Sequence, residues 1–537
     1  MLTTRAMQKK SRKAPLIIGL ILLTVVSLFF VGRYMVFNKI KLTILNEIEG
    51  LRREGFKIHY HAIVSDHWIN EVSIQNLQVS HSIKMAGCAD SITHLNAGLM
   101  KIEGIEILSL IFSNTIHVGN ILLEHPFVSS TWNEQLRMAP ARGANKYRRI
   151  LIDHFQIDSA FFELYDSSSC SLGTRASFNL QVFGIRMPDT RKSFMTWEAD
   201  GVSISAIEML FPHQFYSIVI REIKYLRKNS SIHFDSLNLF PNYNKRIFAQ
   251  KSQHQTDRIE CHIPSLEMSG IEIDTLGNPS IRAKLVTLMF ELKVFRDRKY
   301  PDVSTTLKAL PSRMFKDLPI KLQIDTLQVH HSTITYDEFP TVGDQPGRIS
   351  FEGLAAMVHN LSNTSPKDMT MKTRSKFMGS GDLKADFTFP ANPDKMYEAM
   401  GTLTDFDMKK MNTMLVPAAR IEVKSGLLGE LSFNFKYNNE RSDGTLTMRY
   451  TDLKIASLSK HPGDNSEKGF QTMILNTFVI SDDMGERGEK GTIFFYRDPH
   501  RAVFNYWWKS IRSGILSLYH LDKVMKNPHN EKKMDLK

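Results

Sequence analysis

Cysteine is scarce in this chain. Only Cys88, Cys170 and Cys261 occur among 537 residues, at spacings that match no zinc pattern and leave one thiol over if a disulfide forms. The fold must therefore be held without covalent staples. Catalytic signatures are missing too: there is no Gly-x-Ser-x-Gly elbow, no phosphate-binding Gly-x-x-x-x-Gly-Lys loop and no dinucleotide fingerprint. His59, His61 and His67 gather near Asp66 without the glutamate of a His-Glu-x-x-His helix, and His330 and His331, being adjacent on an extended stretch, point to opposite faces. Asp482-Asp483 lies in a Gly-containing stretch that reads as a solvated loop. The expectation is no enzyme, no cofactor and no metal. Concentrated positive charge is lacking as well. Of the formal +12, Arg5, Lys9, Lys10, Arg12, Lys13 and Arg33 supply six, and the rest is spread over some five hundred residues. A body so dilute in charge does not track a phosphate backbone, so nucleic acid is excluded as a partner, while anionic lipid is not.

Long apolar runs are absent but for one. Ala14 to Gly32 carries no charge over nineteen residues, close to what a helix needs to cross about 30 Å of hydrocarbon. The basic cluster before it places the N-terminus in the cytoplasm and the body on the far side. The run ends in Val31-Gly32-Arg33-Tyr34-Met35, without a small-x-small cleavage site, which reads as an uncleaved, single-pass signal anchor.

Helical periodicity is scarce beyond that run. Gly104 to Phe112 and Met408 to Leu415 suggest short helices, the second capped by Asp405 or Asp407. Near the end, Phe504, Trp508, Ile511, Ile515 and Leu518 step along one face, opposite Lys509, Arg512 and Ser513. Such a helix could cap the end of a sheet, or could lie at a membrane interface with Trp507, Trp508 and Tyr519 at the headgroups.

The body is rich in strand texture. The form apolar-x-apolar-x-x-apolar-x-apolar recurs over Val72 to Val79, Ile116 to Leu123, Ile232 to Leu239, Leu322 to Val329 and Ile349 to Ala356. Period two on either side of one extra residue reads as a half-buried strand with a bulge or bend. Plainer alternation sets Leu383, Phe387 and Phe389, then Leu431, Phe433 and Phe435, then Leu446, Met448 and Tyr450 on shared faces. These nine are the candidate lipid-contacting residues, because a sheet apolar on one face must either bury it or offer it to an apolar ligand. The expected class is mainly β: a long antiparallel sheet of about 25 to 30 strands at roughly 4.8 Å spacing, with few helices. Arg137 to Arg149, Phe240 to Arg258 and Arg296 to Leu310 read as interruptions, the last dividing the body.

The N-terminal anchor, Glu71 to Val79, Asn96 to Gly104 and Ile116 to Val128 with its His125-Pro126 together resemble the AsmA-like family of bacterial envelope proteins. So do Leu318 to Glu338 with Thr335-Tyr336-Asp337-Glu338, Asn412 to Gly426, and Met448 to Leu453. The resemblance covers roughly 40–130 and 315–520, and none of its strings is catalytic. It implies an elongated, twisted β-groove standing on an inner-membrane helix and projecting into the periplasm, with phospholipid tails along its apolar face. It implies service in lipid transport to the outer membrane or in that membrane's integrity, with envelope or outer-membrane proteins as partners. The alternative is a membrane-tethered scaffold for outer-membrane assembly that carries no lipid. The expected organisation is a basic tail over 1–13, an anchor over 14–37, a groove in two parts over 38–300 and 301–500, a capping or interfacial helix over 501–526 that carries Trp507, Trp508, Ile511, Ile515 and Leu518, and a polar tail over 527–537.

Overall fold

In the computed structural model the described residues are scattered positions between 27 and 53, then 55–66, 71–83, 91–106, 109, 113, 115–131, 149–165, 171–187, 197–211, 215–274, 279–301, 307–343, 345–458 and 489–519. The expected anchor run lies outside them but for Ser27, as do the polar tail and most of the expected helix over Gly104 to Phe112. No described helix is long and apolar enough to cross a membrane.

The chain is mainly β and divides at residue 213 into two compact units. The division expected near residue 300 falls inside the second unit. Unit 1 holds β1 (Phe56–His59), β2 (Ala62–Ser65), β3 (Glu71–Ile83), β4 (Ser91–Glu103), β5 (Thr115–Glu124), β6 (Phe127–Thr131), β7 (Arg149–Tyr165), β8 (Leu172–Met187) and β9 (Gly201–Leu210). Described positions from 34 to 53 are helical, and Arg52 Nη2 donates to the Ile58 carbonyl at 2.7 Å.

Unit 2 opens with β10 (Tyr216–Leu226), β11 (Ser231–Pro241), α1 (Lys245–Ser252), β12 (Arg258–Ser269), β13 (Glu272–Asp274), β14 (Ser280–Leu288) and β15 (Glu291–Asp297). It continues through α2 (Pro311–Lys316), β16 (Lys321–Phe339), β17 (Gly347–Ser362), β18 (Met369–Phe377), β19 (Gly381–Phe389) and β20 (Tyr397–Asp407). It closes with α3 (Asn412–Ala419), β21 (Ile421–Tyr437), β22 (Arg441–Ser457), β23 (Glu489–Tyr496) and α4 (Val503–Leu518). The turn before α3 is capped as its sequence suggests, with Asp407 accepting from Lys409 N at 3.0 Å.

The sheets are mixed, which corrects the expectation of a purely antiparallel one. β5 and β6 both run parallel to β7, and β14 and β15 both run parallel to β16. A parallel return needs a long connection. Here residues 132–148 join β6 to β7 and residues 298–320 join β15 to β16, overlapping the interruptions read in sequence at Arg137 to Arg149 and Arg296 to Leu310. Each unit thus repeats one wiring: a long strand (β4, β12) antiparallel to a broken pair, a long connection, a parallel strand (β7, β16), then antiparallel β8 or β17.

Left-handed residues line up along this wiring. In unit 1 Asn76 (φ 50°) lies opposite Gly98, since Gln75 pairs with Leu99 and Leu77 with Ala97. His125 (φ 46°) and Pro126 break β5 from β6, and Ser159 (φ 54°) on β7 lies beside the break, where Phe161 N donates to the Pro126 carbonyl at 2.8 Å. In unit 2 Ser236 (φ 53°) lies opposite Pro264, Met289 and Phe290 break β14 from β15, His331 (φ 45°) sits beside that break and Gly353 (φ 59°) continues on β17. The two breaks settle their hydrogen bonds differently. Pro126 has no N–H to satisfy, whereas Phe290 N donates to the Oγ of fully buried Ser332 at 2.9 Å.

Candidate functional site

The bends keep apolar side chains on one face, because an extra residue restores the alternation that a bend would otherwise invert. Ile74 and Leu77 flank Asn76, and Phe234 and Leu237 flank Ser236. Paired across neighbouring strands, these residues form continuous apolar rows.

In unit 1, Val72, Ile102, Ile121, Phe155, Val182 and Val202 pair in succession from β3 to β9. Next to them Ile74, Met100, Leu123, Ile157, Leu180 and Ile204 do the same. Five steps of about 4.8 Å make each row about 24 Å long. Val72, Ile74 and Val182 are buried and the others half-buried. Beside the Arg52 bond to β1, the larger contacts among the described elements of unit 1 are strand on strand, and a small cluster of buried apolar residues there is Val182, Ile185 and Ala199.

In unit 2 a single row crosses ten strands: Tyr225, Ile232, Met268, Val286, Leu327, Val358, Met371, Phe387, Ala399 and Phe435. Its nine steps span about 43 Å. Every member is apolar or aromatic. From Ile232 onward its members belong to or pack against one large core, half-buried as far as Met371 apart from buried Val286 and Val358, and only 1% exposed at Phe435.

The nine candidate lipid-contacting residues lie at this covered end. Leu431 pairs with Met448, Phe433 with Leu446, Phe387 with Ala399 and Leu383 with Leu403. Phe389, Leu431, Phe433, Phe435, Leu446, Met448 and Tyr450 are buried, and Leu383 and Phe387 are half-buried. The cover is α4. The Trp507 ring stacks on Phe387 with centroids 4.4 Å apart, and Tyr519 Oη donates to Tyr450 Oη at 2.9 Å.

The face that α4 presents is rotated from the one its periodicity suggests. Trp507, Ile511, Ile515 and Leu518 join the core, but Trp508 is 39% exposed and Phe504 48%. Tyr506, Ser510 and Gly514 take the innermost line. A Cβ on Gly514 would lie 2.8 Å from Ile493 Cγ1 and 2.9 Å from Leu446 Cβ, so helix and sheet approach more closely than a larger residue would permit. The small residues four apart at 510 and 514 were the sequence signal for that line.

The other face of β19 to β22 is polar. There a cleft of about 410 Å3 is lined by Lys384, Asp386, Thr402, Ser432, Asn434, Thr445 and Thr447, with Met400 among them. Among the described residues no group of three or more metal-binding side chains gathers. No protein-family model matches this chain, and no curated protein matches it.

Proposed function

We propose that this chain is a non-enzymatic, membrane-anchored lipid-handling protein that lays acyl chains across its strands on an apolar β-groove. The observation that carries the reading is the ten-strand row of unit 2, supported by the six-strand rows of unit 1. Half the hydrocarbon thickness of a bilayer is about 15 Å, so rows of about 24 and 43 Å are long enough to receive an extended tail. Each methylene laid on such a surface recovers about 0.8 kcal/mol. That gain lowers the cost of leaving a bilayer without chemistry or an energy source at the groove. The run at 14–32 would hold the protein in the inner membrane with its body in the periplasm, and phospholipid bound for the outer membrane would be the cargo.

The test is photo-crosslinking of the full-length chain, in membranes, to phospholipid with a photoreactive group near the end of one acyl chain. Crosslinked peptides should contain row residues such as Phe155, Ile157, Leu327 and Met371. Crosslinks confined to the anchor would sink the reading and leave a tethered scaffold.

A further inference from the structure

One row beyond Ala399 and Phe435, at the covered end of the ten-strand row, polar groups replace apolar ones. Tyr397 and Tyr437 pair directly across β20 and β21, their rings stacked at 5.1 Å. Tyr506 meets Tyr437 edge-on at 5.6 Å, Trp507 meets it at 6.2 Å, and the Arg497 guanidinium carbon stands 5.9 Å from the Tyr506 ring. Tyr397 and Tyr437 are 0% exposed, Tyr506 2% and Arg497 8%. Five polar atoms in this cluster make no well-aligned hydrogen bond, namely the three tyrosine hydroxyls, Trp507 Nε1 and Arg497 Nε, although Ser312, Trp507 and Ser442 stand near enough to act on Tyr397, Tyr437 and Tyr506 respectively.

Arg497 is otherwise tied only to neutral groups. Its Nη1 donates to Asn439 Oδ1 at 2.6 Å, and its Nη2 donates to the Lys308 carbonyl. Among the described residues no carboxylate pairs with it, and the neighbouring Asp498 faces Arg501 Nε at 3.7 Å. Asp498 therefore reaches Arg497 only through space, and a buried guanidinium with no carboxylate in direct contact is costly.

The five orphans share a chemistry. The Arg497 and Trp507 nitrogens can only donate, and the hydroxyls can donate. Burial pushes the tyrosine pKa values up, so the hydroxyls keep their protons at neutral pH. A water molecule accepts about two hydrogen bonds and brings no charge. A tetrahedral oxyanion can accept from several such donors at once and neutralises the guanidinium. Asn439, which accepts from Arg497, is exposed at the turn between β21 and β22 and marks the side of the cluster nearest solvent.

We infer that Arg497, Tyr397, Tyr437, Tyr506 and Trp507 form a binding site for one phosphate-class oxyanion. Its source is either a phospholipid headgroup, whose tail then lies on the adjoining row, or free phosphate. Only the headgroup assignment rests on the lipid-handling reading.

The experiment uses the full-length chain in neutral detergent, titrated with inorganic phosphate and followed by tryptophan fluorescence and thermal unfolding. Phosphate should raise the unfolding midpoint saturably, because a ligand of the folded state alone stabilises it by mass action. Tyr397→Phe/Tyr437→Phe keeps the stacked rings and removes two donors, and should weaken phosphate at least tenfold. Arg497→Gln should abolish the response. Competition by phosphatidylglycerol micelles but not by diacylglycerol would name the headgroup as source, and phosphate binding without that competition would name the free ion. No response in the folded wild-type chain, or a response unchanged in the Tyr/Phe double variant, overturns the site. Acyl crosslinking to the rows reads the groove separately: rows labelled without phosphate binding lose only this site, and phosphate bound without labelled rows loses only the groove.

Discussion

Units 1 and 2 share a wiring, a line of left-handed bends and apolar rows, yet they differ in what lies on those rows. Unit 2 places α4 on the β19 to β23 end, and there a large core forms with Phe435, Leu446, Tyr397 and Tyr437 almost or wholly out of solvent. Unit 1 has the same succession of paired apolar residues, and most of them stay half-buried around one small cluster. Row formation is therefore a property of strand register, and core formation is a property of the second layer. An apolar row that stays half-buried still has apolar area to offer, which is why unit 1 and the Tyr225 to Met371 stretch carry the acyl reading.

The sharpest way to break this comparison is to delete one aromatic side chain from each unit. Phe435→Ala empties a fully enclosed site and should cost about 3–5 kcal/mol. Phe155→Ala, on a half-buried row, should cost about 1–2 kcal/mol, because the side chain has less apolar area to lose. Urea unfolding of the full chain, read separately for each unit by peptide-resolved hydrogen exchange, gives both numbers. Equal losses would mean that the rows of unit 1 are as enclosed as those of unit 2.

A smaller effect tests the cover itself. Gly514→Val puts atoms where Ile493 and Leu446 already stand. It should cost about 1–3 kcal/mol in unit 2 by overpacking, raise exchange in β22, β23 and α4, and leave unit 1 unchanged. Insensitivity to this substitution would mean that α4 does not rest on the sheet through Ser510 and Gly514.

Much of the fold was legible in the chain, for a physical reason. The doubled x in the apolar pattern marks a bend, and in Val72 to Val79, Ile232 to Leu239 and Ile349 to Ala356 the left-handed residue lies within the pattern, at Asn76, Ser236 and Gly353. For Ile116 to Leu123 and Leu322 to Val329 it lies on the neighbouring strand instead, at Gly104 opposite Gly119 and Asn360 opposite Asp325. Strand direction was not legible, since period two reads the same both ways; only the long connections at 132–148 and 298–320 hinted at a parallel return. The Arg497 cluster was hidden because Tyr397 and Tyr437 are far in sequence from each other and from the Arg497 to Trp507 stretch. Each tyrosine on a strand simply continues the apolar alternation by one more step, and register alone makes the two neighbours.

The smallest expected effect sets the alkaline limb of His117 in unit 1 against the acid limb of Asp337 in unit 2. In unit 1 His117 Nε2 meets Asp153 Oδ1 and its Nδ1 meets Glu106 Oε2, both at 3.0 Å, and the Asp153 hydrogen bond leads in raising its pKa above the ordinary histidine value. Such a group stabilises fully below its unfolded pKa of about 6.5, and the contribution is lost as pH rises through the higher folded value. In unit 2 burial pushes the Asp337 carboxyl up, but Arg348 Nε at 2.7 Å, together with Lys245 at 3.3 Å, outweighs it and holds the carboxyl below its ordinary range. That contribution is present above about pH 3.9 and lost as pH falls through the lower folded value. Mild alkalinity should therefore loosen unit 1 first and strong acid should loosen unit 2, each modestly, since the partners of both groups are largely exposed. His117→Gln should flatten the response of unit 1 between about pH 6 and 8 and leave the acid limb of unit 2 in place. If that variant keeps the alkaline loss, the ion pairs at His117 do not bear on the stability of unit 1, and the contrast between the units reduces to the presence of α4.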